Sequence, residues 1–226
     1  MPLHFDSKEF GNRRNRLLEL MAGSELDGML IFRQESMFYL TGYDSFGYVF
    51  FQCLFLGGDG KLILLTRVPD LRQAQNTSII EDIRIWVDGP EVNPALQLKE
   101  ILREYGCAGK RLGVEYDSYG LTAKNGKMLD SALDGFCELI DASGMVNRLR
   151  VVKSPEELVY VRKAAELADD ALDEAHRLVK DGCDEGELLA AMQGAVFRGG
   201  GDYPGNEFII GSGENALLCR YFSGRR

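Results

Sequence analysis

The order of strand-like and helix-like segments between residues 26 and 140 limits the possible folds more than any other feature of the chain. Two apolar runs, 48–56 and 61–66, are separated only by the glycine-rich turn 57–60, which predicts a β-hairpin. Beyond the hairpin, helical and strand patterns alternate, as is typical of an α/β domain with a largely parallel sheet. The sequence therefore predicts a mixed sheet, with the hairpin as its antiparallel part, in a domain covering residues 1–150.

The individual elements follow from the spacing of apolar residues. Apolar positions three and four residues apart predict helices over 7–25, 69–77, 94–105 and 121–133. Continuous or alternating apolar runs predict strands over 26–32, 48–56, 61–66, 82–87, 111–115 and 136–140. A short helix is predicted in 36–43, interrupted by Gly42.

A different pattern begins at Ser154. Ser154, Pro155 and Glu157 supply an N-cap, a proline at the first helical position and the acidic partner of a capping box. They predict the start of a long helix, which Asp181 and Gly182 end. An apolar stripe with alternating spacings of three and four predicts that one face of this helix meets a partner. The residues of this apolar stripe are Leu158, Val161, Ala165, Ala168, Leu172, Ala175 and Val179.

The rest of the chain is short for a domain with its own sheet. A helix is predicted over 184–198, ended by the glycines of 199–201, and 207–210 is predicted to be the first strand of a new sheet. A lone strand leaves both of its backbone edges unpaired. Residues 151–226 are therefore predicted to be the first part of a second, α+β domain. Either the natural chain continues, or this part is completed by another copy.

The charge balance excludes several classes of partner. The chain carries 35 acidic and 26 basic residues, a net charge of -9, and its apolar stretches are far shorter than the roughly 20 residues of a bilayer span. No nucleic acid and no membrane partner is therefore expected. Because no secretory signal is recognisable, the predicted location is cytoplasmic. The 5 cysteines are widely spaced and are predicted to be free thiols.

Few residues qualify as catalytic groups. The only histidines of the sequence are His4 and His176, so a Ser/His/Asp, Cys/His or His-based zinc site is not expected. The acidic residues between 169 and 174 are predicted to form a solvated helix face. Glycines on both sides of 207–210 favour close approach of the backbone, either to a ligand or to a neighbouring element. No dinucleotide-binding or P-loop pattern accompanies them, so nucleotide binding is unsupported.

Three segments resemble one known family. Residues 147–158, a basic linker before the capped helix, resemble the domain junction of the creatinase, aminopeptidase P and prolidase family, the pita-bread hydrolases. Residues 37–43 resemble that family's N-x-x-Y-L-T-G segment, and residues 208–216 resemble the strand and turn that open its catalytic site. The resemblance implies a creatinase/prolidase-type mixed-sheet domain over 1–150 and the opening of an α+β pita-bread domain over 151–226.

The resemblance also implies a function. Family members hydrolyse carbon–nitrogen bonds, so the expected substrate is a small amino-acid-like molecule or an Xaa-Pro dipeptide. Metallopeptidase members hold two divalent metal ions, whose ligands would lie after Arg226. No metal ligand or cofactor is therefore expected in this chain, and the 226-residue piece alone is expected to be inactive. A homodimer is the expected assembly. The alternative is a catalytically inactive relative that acts as a binding or dimerisation module.

The segment after the second glycine turn departs from the family pattern. Peptidases of the family have Asn-Ala, three further residues and His-Tyr, whereas this chain has Asn215 and Ala216 followed by Arg220 and Tyr221. Arg220 thus stands where a substrate-binding histidine is expected. A guanidinium is permanently charged and its planar fork suits a carboxylate, which weakens the peptidase assignment. The resemblance assigns Asn215, Arg220 and Tyr221 to substrate binding and leaves the catalytic residues unassigned.

Overall fold

A computed structural model describes residues 3–220, and its contacts divide the chain into two compact units. The first unit ends at Val152 and the second begins at Lys153. No helix within residues 3–220 combines the length and the apolar character that crossing a bilayer requires.

The first unit is built on a six-stranded mixed sheet. The strands are β1 (Gly28–Ile31), β2 (Cys53–Gly57), β3 (Leu62–Arg67), β4 (Asp82–Trp86), β5 (Arg111–Val114) and β6 (Glu138–Asp141). Their order across the sheet is β4-β3-β2-β1-β5-β6. Strand β2 is antiparallel to β1 and β3, and the other neighbouring strands are parallel. The predicted mixed sheet with one antiparallel hairpin is confirmed.

Helices cover both faces of this sheet. They are α1 (Ser7–Gly23), α2 (Gln34–Thr41), α3 (Leu71–Thr77), α4 (Pro94–Glu104), α5 (Ala123–Leu133) and α6 (Met145–Val151). Helices α4 and α5 share one hydrophobic cluster with the sheet, and α1, α2, α3 and α6 share the other. Successive strand residues point to opposite faces, so Leu30 joins the first cluster while Met29 and Ile31 join the second. Burying each such side chain contributes about 1.5–3 kcal/mol.

Two segments of the first unit differ from their predictions. The strand predicted over 48–56 begins only at Cys53, because a 3-10 helix (Gly47–Val49) precedes it. Aromatic residues at 48–51 have high strand propensity, but no described strand pairs with them. Helix α6 lies in a segment that was predicted to be a linker. It forms because Met145, Val146 and Leu149 are buried in the cluster that α1 also lines.

The second unit contains two α-helices within residues 153–220, α7 (Pro155–Leu178) and α8 (Glu185–Arg198). The predicted capping box at the start of α7 is confirmed. Ser154 Oγ accepts a hydrogen bond from Glu157 N at 3.2 Å, and Glu157 Oε2 accepts one from Ser154 N at 3.0 Å. Asp184 caps α8 by accepting hydrogen bonds from the backbone amides at positions 186 and 187.

Helix α7 packs on α8 through a face other than the apolar stripe. Leu167 and Ala171 are its buried residues. The side chain of Leu167 lies against the glycines that follow α8. A Cβ atom added at Gly199 would lie 2.2 Å from this side chain, and one added at Gly201 would lie 2.7 Å from it. The apolar stripe itself stays largely exposed, so no element within residues 153–220 provides the partner predicted for it.

The strand predicted over 207–210 is wrong. This segment has no regular secondary structure, although Phe208 and Ile210 are partly buried. A strand needs a neighbouring strand to pair its backbone groups, and among residues 153–220 the structure describes no strand at all. An apolar run therefore did not suffice to form one.

Candidate functional site

Arg220, the residue predicted to bind substrate in place of a histidine, lies on the surface of the second unit. Its Nη2 donates a hydrogen bond to Asn206 Oδ1 at 3.0 Å, and its Nη1 lies 3.8 Å from Glu207 Oε1. The side chain is 60% exposed, so a solute can reach the guanidinium. The structure thus brings Arg220 together with two residues that the sequence analysis did not connect with it.

Asn215, the second predicted substrate-binding residue, lies in a 3-10 helix (Gly213–Leu217) before Arg220. Its backbone N–H donates to Ser212 O at 3.1 Å, and its carbonyl accepts from Leu218 N at 3.1 Å. Its exposed side chain makes no hydrogen bond with the part of the chain that the structure describes. Tyr221, the third residue, lies outside the described residues. The three assignments stay predictions.

The glycine turn before Asn215 is anchored to the start of α8. Ser212 donates two hydrogen bonds to Glu185 Oε1, from its backbone N and from its Oγ, each at 2.6 Å. Gly211 has no room for a side chain, because an added Cβ would lie 2.7 Å from Asn215 O. Gly213 has a φ of +55°, a conformation that favours glycine. These glycines therefore serve the tight path of the backbone.

The described residues do not fit a metal pair. Within residues 3–220, no three His, Cys, Asp or Glu side chains come together in a way that could hold an ion. Along the acidic face of α7, Glu174 already pairs with Arg177, whose Nη2 lies 2.6 Å from the carboxylate. No residue of this part of the chain is assigned as a metal ligand.

A buried carboxyl group lies at the carboxyl edge of the sheet in the first unit. Glu115 directly follows β5 and is 1% exposed. Its Oε2 accepts hydrogen bonds from Phe32 N at 3.2 Å and Arg33 N at 3.0 Å, and its Oε1 accepts one from Ser36 Oγ at 2.6 Å. From β1 the sheet continues through β2, β3 and β4 on one side, whereas β5 and β6 lie on the other side, so the strand order reverses between β1 and β5. Open α/β sheets commonly bind ligands at the carboxyl ends of the strands at such a point. In this chain a side chain of the protein itself occupies that position.

The surroundings of Glu115 combine burial with the start of a helix. Burial raises the pKa of Glu115 above its ordinary value of 4.5, although the hydrogen bonds from Ser36 and the two amides oppose that shift. Helix α2 has no side-chain cap of its own at Arg33. Glu115 accepts from the amides at this helix start, as a bound anion would. The sequence analysis missed this role, because Glu115 was included in a predicted strand.

An exposed aromatic surface lies at the same edge of the sheet. It consists of Phe46, Tyr48, Phe50 and Tyr119. Phe46 is 76% exposed, and the ring of Tyr48 lies 5.2 Å from that of Phe46 and 5.3 Å from that of Tyr119. The guanidinium of Arg67 stacks 3.6 Å from the centre of the Phe50 ring. Aromatic residues and arginine are enriched where proteins make contacts, so this surface suits binding.

The structure defines a class of protein in which a mixed α/β domain is followed by a second unit that begins with a long capped helix. The chain belongs to the creatinase and prolidase family. Residues 13–152 match the Creatinase/Prolidase N-terminal domain, and residues 159–226 match Metallopeptidase family M24. The family predicted from the three sequence segments is confirmed.

Similar proteins extend across both parts of the chain. Ectoine hydrolase of Halomonas elongata is 27% identical over 95% of this chain and 57% of its own length. Xaa-Pro aminopeptidase of Escherichia coli is 28% identical over 95% of this chain and 54% of its own length. The solved structure of the prolidase from Pyrococcus horikoshii has the same fold, with a TM-score of 0.74 at 19% identity over 95% of this chain and 56% of that chain. The chain spans about half the length of these relatives.

Proposed function

We propose that this chain contributes the N-terminal domain and the first part of the catalytic domain of a hydrolase that cleaves a carbon–nitrogen bond. The observation that carries the proposal is the succession of two family matches, 13–152 and 159–226, on one chain. The relatives similar across both parts are named for hydrolysis of ectoine and for removal of residues before proline. The proposed substrate is a small amino-acid-like molecule or an Xaa-Pro dipeptide.

The proposed role of this chain's own residues is to bind and orient that substrate. Family M24 is metal-dependent, but residues 3–220 offer no set of donors for a metal. The structure therefore supports no assignment of the hydrolytic step to a residue of this part. What it offers is an accessible cation, Arg220, beside a turn fixed by two short hydrogen bonds.

Arg220 is proposed to bind a carboxylate of the substrate. A guanidinium has five N–H donors, and Asn206 is the one residue within normal hydrogen-bonding distance of it among residues 3–220. Asn206 is uncharged, and Glu207 at 3.8 Å is too distant for a normal hydrogen bond. The cation thus keeps donors for a planar, bidentate partner. Asn215 and Tyr221 complete the proposed substrate-binding set.

The test uses the complete protein that contains this sequence. We expect it to hydrolyse ectoine, creatine or an Xaa-Pro dipeptide, with products followed by chromatography. Arg220→Ala should lower kcat/KM about tenfold to a hundredfold, because a charge-assisted hydrogen bond contributes about 1.5–3 kcal/mol. Arg220→Lys should recover only part of the lost kcat/KM, since an ammonium group keeps the charge but lacks the planar pair of donors of a guanidinium. Arg72→Ala, an exposed arginine of α3, is the matched control. Unchanged kinetics in Arg220→Ala would refute carboxylate binding.

The exposed aromatic surface favours a second candidate, a catalytically inactive relative that acts as a binding module. Its rings at positions 46, 48, 50 and 119 offer a contact surface without any catalytic group. This candidate predicts no turnover of any of the three substrates by the complete protein, even with Mn²⁺ or Zn²⁺ added. Turnover above the blank would exclude it.

A further inference from the structure

A cavity in the first unit lies between the start of α1, the end of α2 and helix α3. Its volume is about 370 Å³, which is at the lower end of the range for small-molecule sites. Its wall is mainly apolar and includes the side chains of Leu3, Phe5, Phe10 and Phe38. The cavity therefore has the size and the lining to enclose a small ligand with an apolar body.

The walls of this cavity are held to one another. Asp44 N, just after α2, donates a hydrogen bond to Thr77 Oγ1 at the end of α3, at 3.2 Å. The rings of Phe5 and Phe10 pack edge to face, with their centres 6.0 Å apart. Gly42 has a φ of +80°, and a Cβ added there would lie 2.9 Å from Thr77 O and 3.1 Å from the Phe10 ring. The cavity is thus part of the packed structure of the first unit.

The polar groups that line the cavity include acceptors without a partner. Asp44 is exposed, and its carboxylate has no hydrogen-bond or ion-pair partner among residues 3–220. Asn76 donates from its Nδ2 to Arg72 O at 2.7 Å, which leaves its Oδ1 to accept from a ligand. A negative charge and an amide oxygen beside an apolar wall suit a ligand that carries N–H donors and a positive charge.

We propose that this cavity binds a small organic cation, with its ammonium group at Asp44 and Asn76 and its apolar body among the phenylalanine rings. The rings remove apolar surface from water, and their faces attract a cation. The guanidinium of Arg13 stacks 4.0 Å from the centre of the Phe5 ring, but Arg13 forms an ion pair with Glu9 at 2.8 Å, so the two charges cancel. An anion of the same shape would meet the Asp44 carboxylate and is disfavoured.

This inference is independent of the proposed hydrolase activity, and NMR titration of the 226-residue chain tests it. The probes are phenethylammonium, phenylethanol and phenylpropionate, which share a benzene ring and a two-carbon chain but differ in the charge of the head group. We expect phenethylammonium to bind with a Kd of about 0.3–3 mM and to shift the amide signals of residues 3–10, 38–44 and 73–77. Phenylethanol should bind about 3- to 10-fold more weakly, and phenylpropionate more weakly still.

Two variants separate the role of the charge from that of the apolar wall. Asp44→Asn should weaken binding of phenethylammonium about 3- to 10-fold and leave that of phenylethanol unchanged within about twofold. Phe38→Ala should weaken binding of both probes about 3- to 10-fold, because it removes apolar contact from each. Glu81→Gln, at an exposed glutamate outside the cavity, is the matched control and should change neither affinity. The amide spectra also show whether each variant keeps its fold.

The same titrations can overturn the proposal. Phenethylammonium at about 10 mM that shifts no amide signal of the cavity wall would refute it. Equal affinity for the three probes would refute the selection of a cation, as would an Asp44→Asn chain that binds phenethylammonium as tightly as the wild type. A Phe38→Ala chain with unchanged affinity for both probes would show that the ligand lies outside the cavity.

Discussion

Replacing Glu115 should show how strongly the internal carboxyl group stabilises the first unit. In Glu115→Ala, the N–H groups of Phe32 and Arg33 and the hydroxyl of Ser36 lose their acceptor. A buried donor without a partner costs about 1–3 kcal/mol, while the hydroxyl can rotate toward another acceptor. We therefore expect the free energy of unfolding to fall by about 2–5 kcal/mol. Since domains typically have about 5–15 kcal/mol in all, the variant should stay folded with much less stability.

Glu115→Gln separates the charge from the hydrogen bonds. Its amide oxygen can accept from the two N–H groups, and its amide nitrogen can donate to Ser36 Oγ. We therefore expect the free energy of unfolding to fall by about 1 kcal/mol or less at acidic pH. Burial raises the pKa of Glu115, so the folded state holds this proton more tightly than the unfolded state does. Protonation of Glu115 therefore stabilises the folded state. This stabilisation is fully present when the pH is below the ordinary pKa of 4.5, and it is lost as the pH rises through the folded-state pKa. Glutamine cannot ionise.

The measurable quantity is the difference in unfolding free energy, wild type minus Glu115→Gln, which should fall as pH rises. Urea denaturation from about pH 4 to about pH 7.5 gives this difference. Trp86, the chain's single tryptophan, is buried in the first unit and reports its unfolding by fluorescence. Glu91→Gln, at an exposed glutamate, should change stability by less than about 0.5 kcal/mol. A difference that rises with pH would refute the reasoning, as would a Glu115→Ala cost below about 1 kcal/mol.

Three further predictions concern other parts of the structure. Arg13→Ala should lower the free energy of unfolding by about 1.5–3 kcal/mol in urea, because it removes the buried ion pair with Glu9, 2.8 Å from Arg13 Nε, and the hydrogen bond from Arg13 Nη1 to Tyr39 O; a loss below about 1 kcal/mol would contradict it. Ser154→Ala should cost about 1 kcal/mol of α7 stability by far-ultraviolet circular dichroism, since it removes the cap. Cys219 is exposed and should react with a disulfide reagent in the native chain. Cys53 should react only after unfolding, because it is buried and desolvation raises its pKa. Equal rates would contradict this.

The order of elements in the first unit could be predicted because its central strands are apolar runs. All residues of β1 and β2 are buried, so both strands appear in the sequence as continuous apolar runs. Strand limits were less predictable. Aromatic residues near position 48 resemble strand residues by composition, yet they form the exposed aromatic surface and a 3-10 helix. Composition alone does not tell whether an aromatic residue is buried in a sheet or exposed at its edge.

The features that a sequence could not reveal are those that depend on distant residues. The hydrogen bonds of Glu115 join it to residues 79 to 83 positions away, so no local pattern signals them. The contact of Arg220 with Asn206 likewise spans 14 positions of the chain. The strand predicted over 207–210 failed for a related reason, since pairing depends on a second strand and the apolar run alone does not supply it. By contrast, the capping box at Ser154 is local and was predictable in full.

The position of Glu115 also bears on what the first unit can bind. The start of α2, between β1 and β5, is where an open α/β sheet offers backbone N–H groups to an anionic ligand. Here Glu115 already accepts from the N–H groups of Phe32 and Arg33. A phosphate or carboxylate could take this place only by displacing a group that is 1% exposed and that would lose three hydrogen bonds. The part of this edge that stays accessible is the exposed aromatic surface, where Phe46 is open to solvent and Arg67 stacks on Phe50.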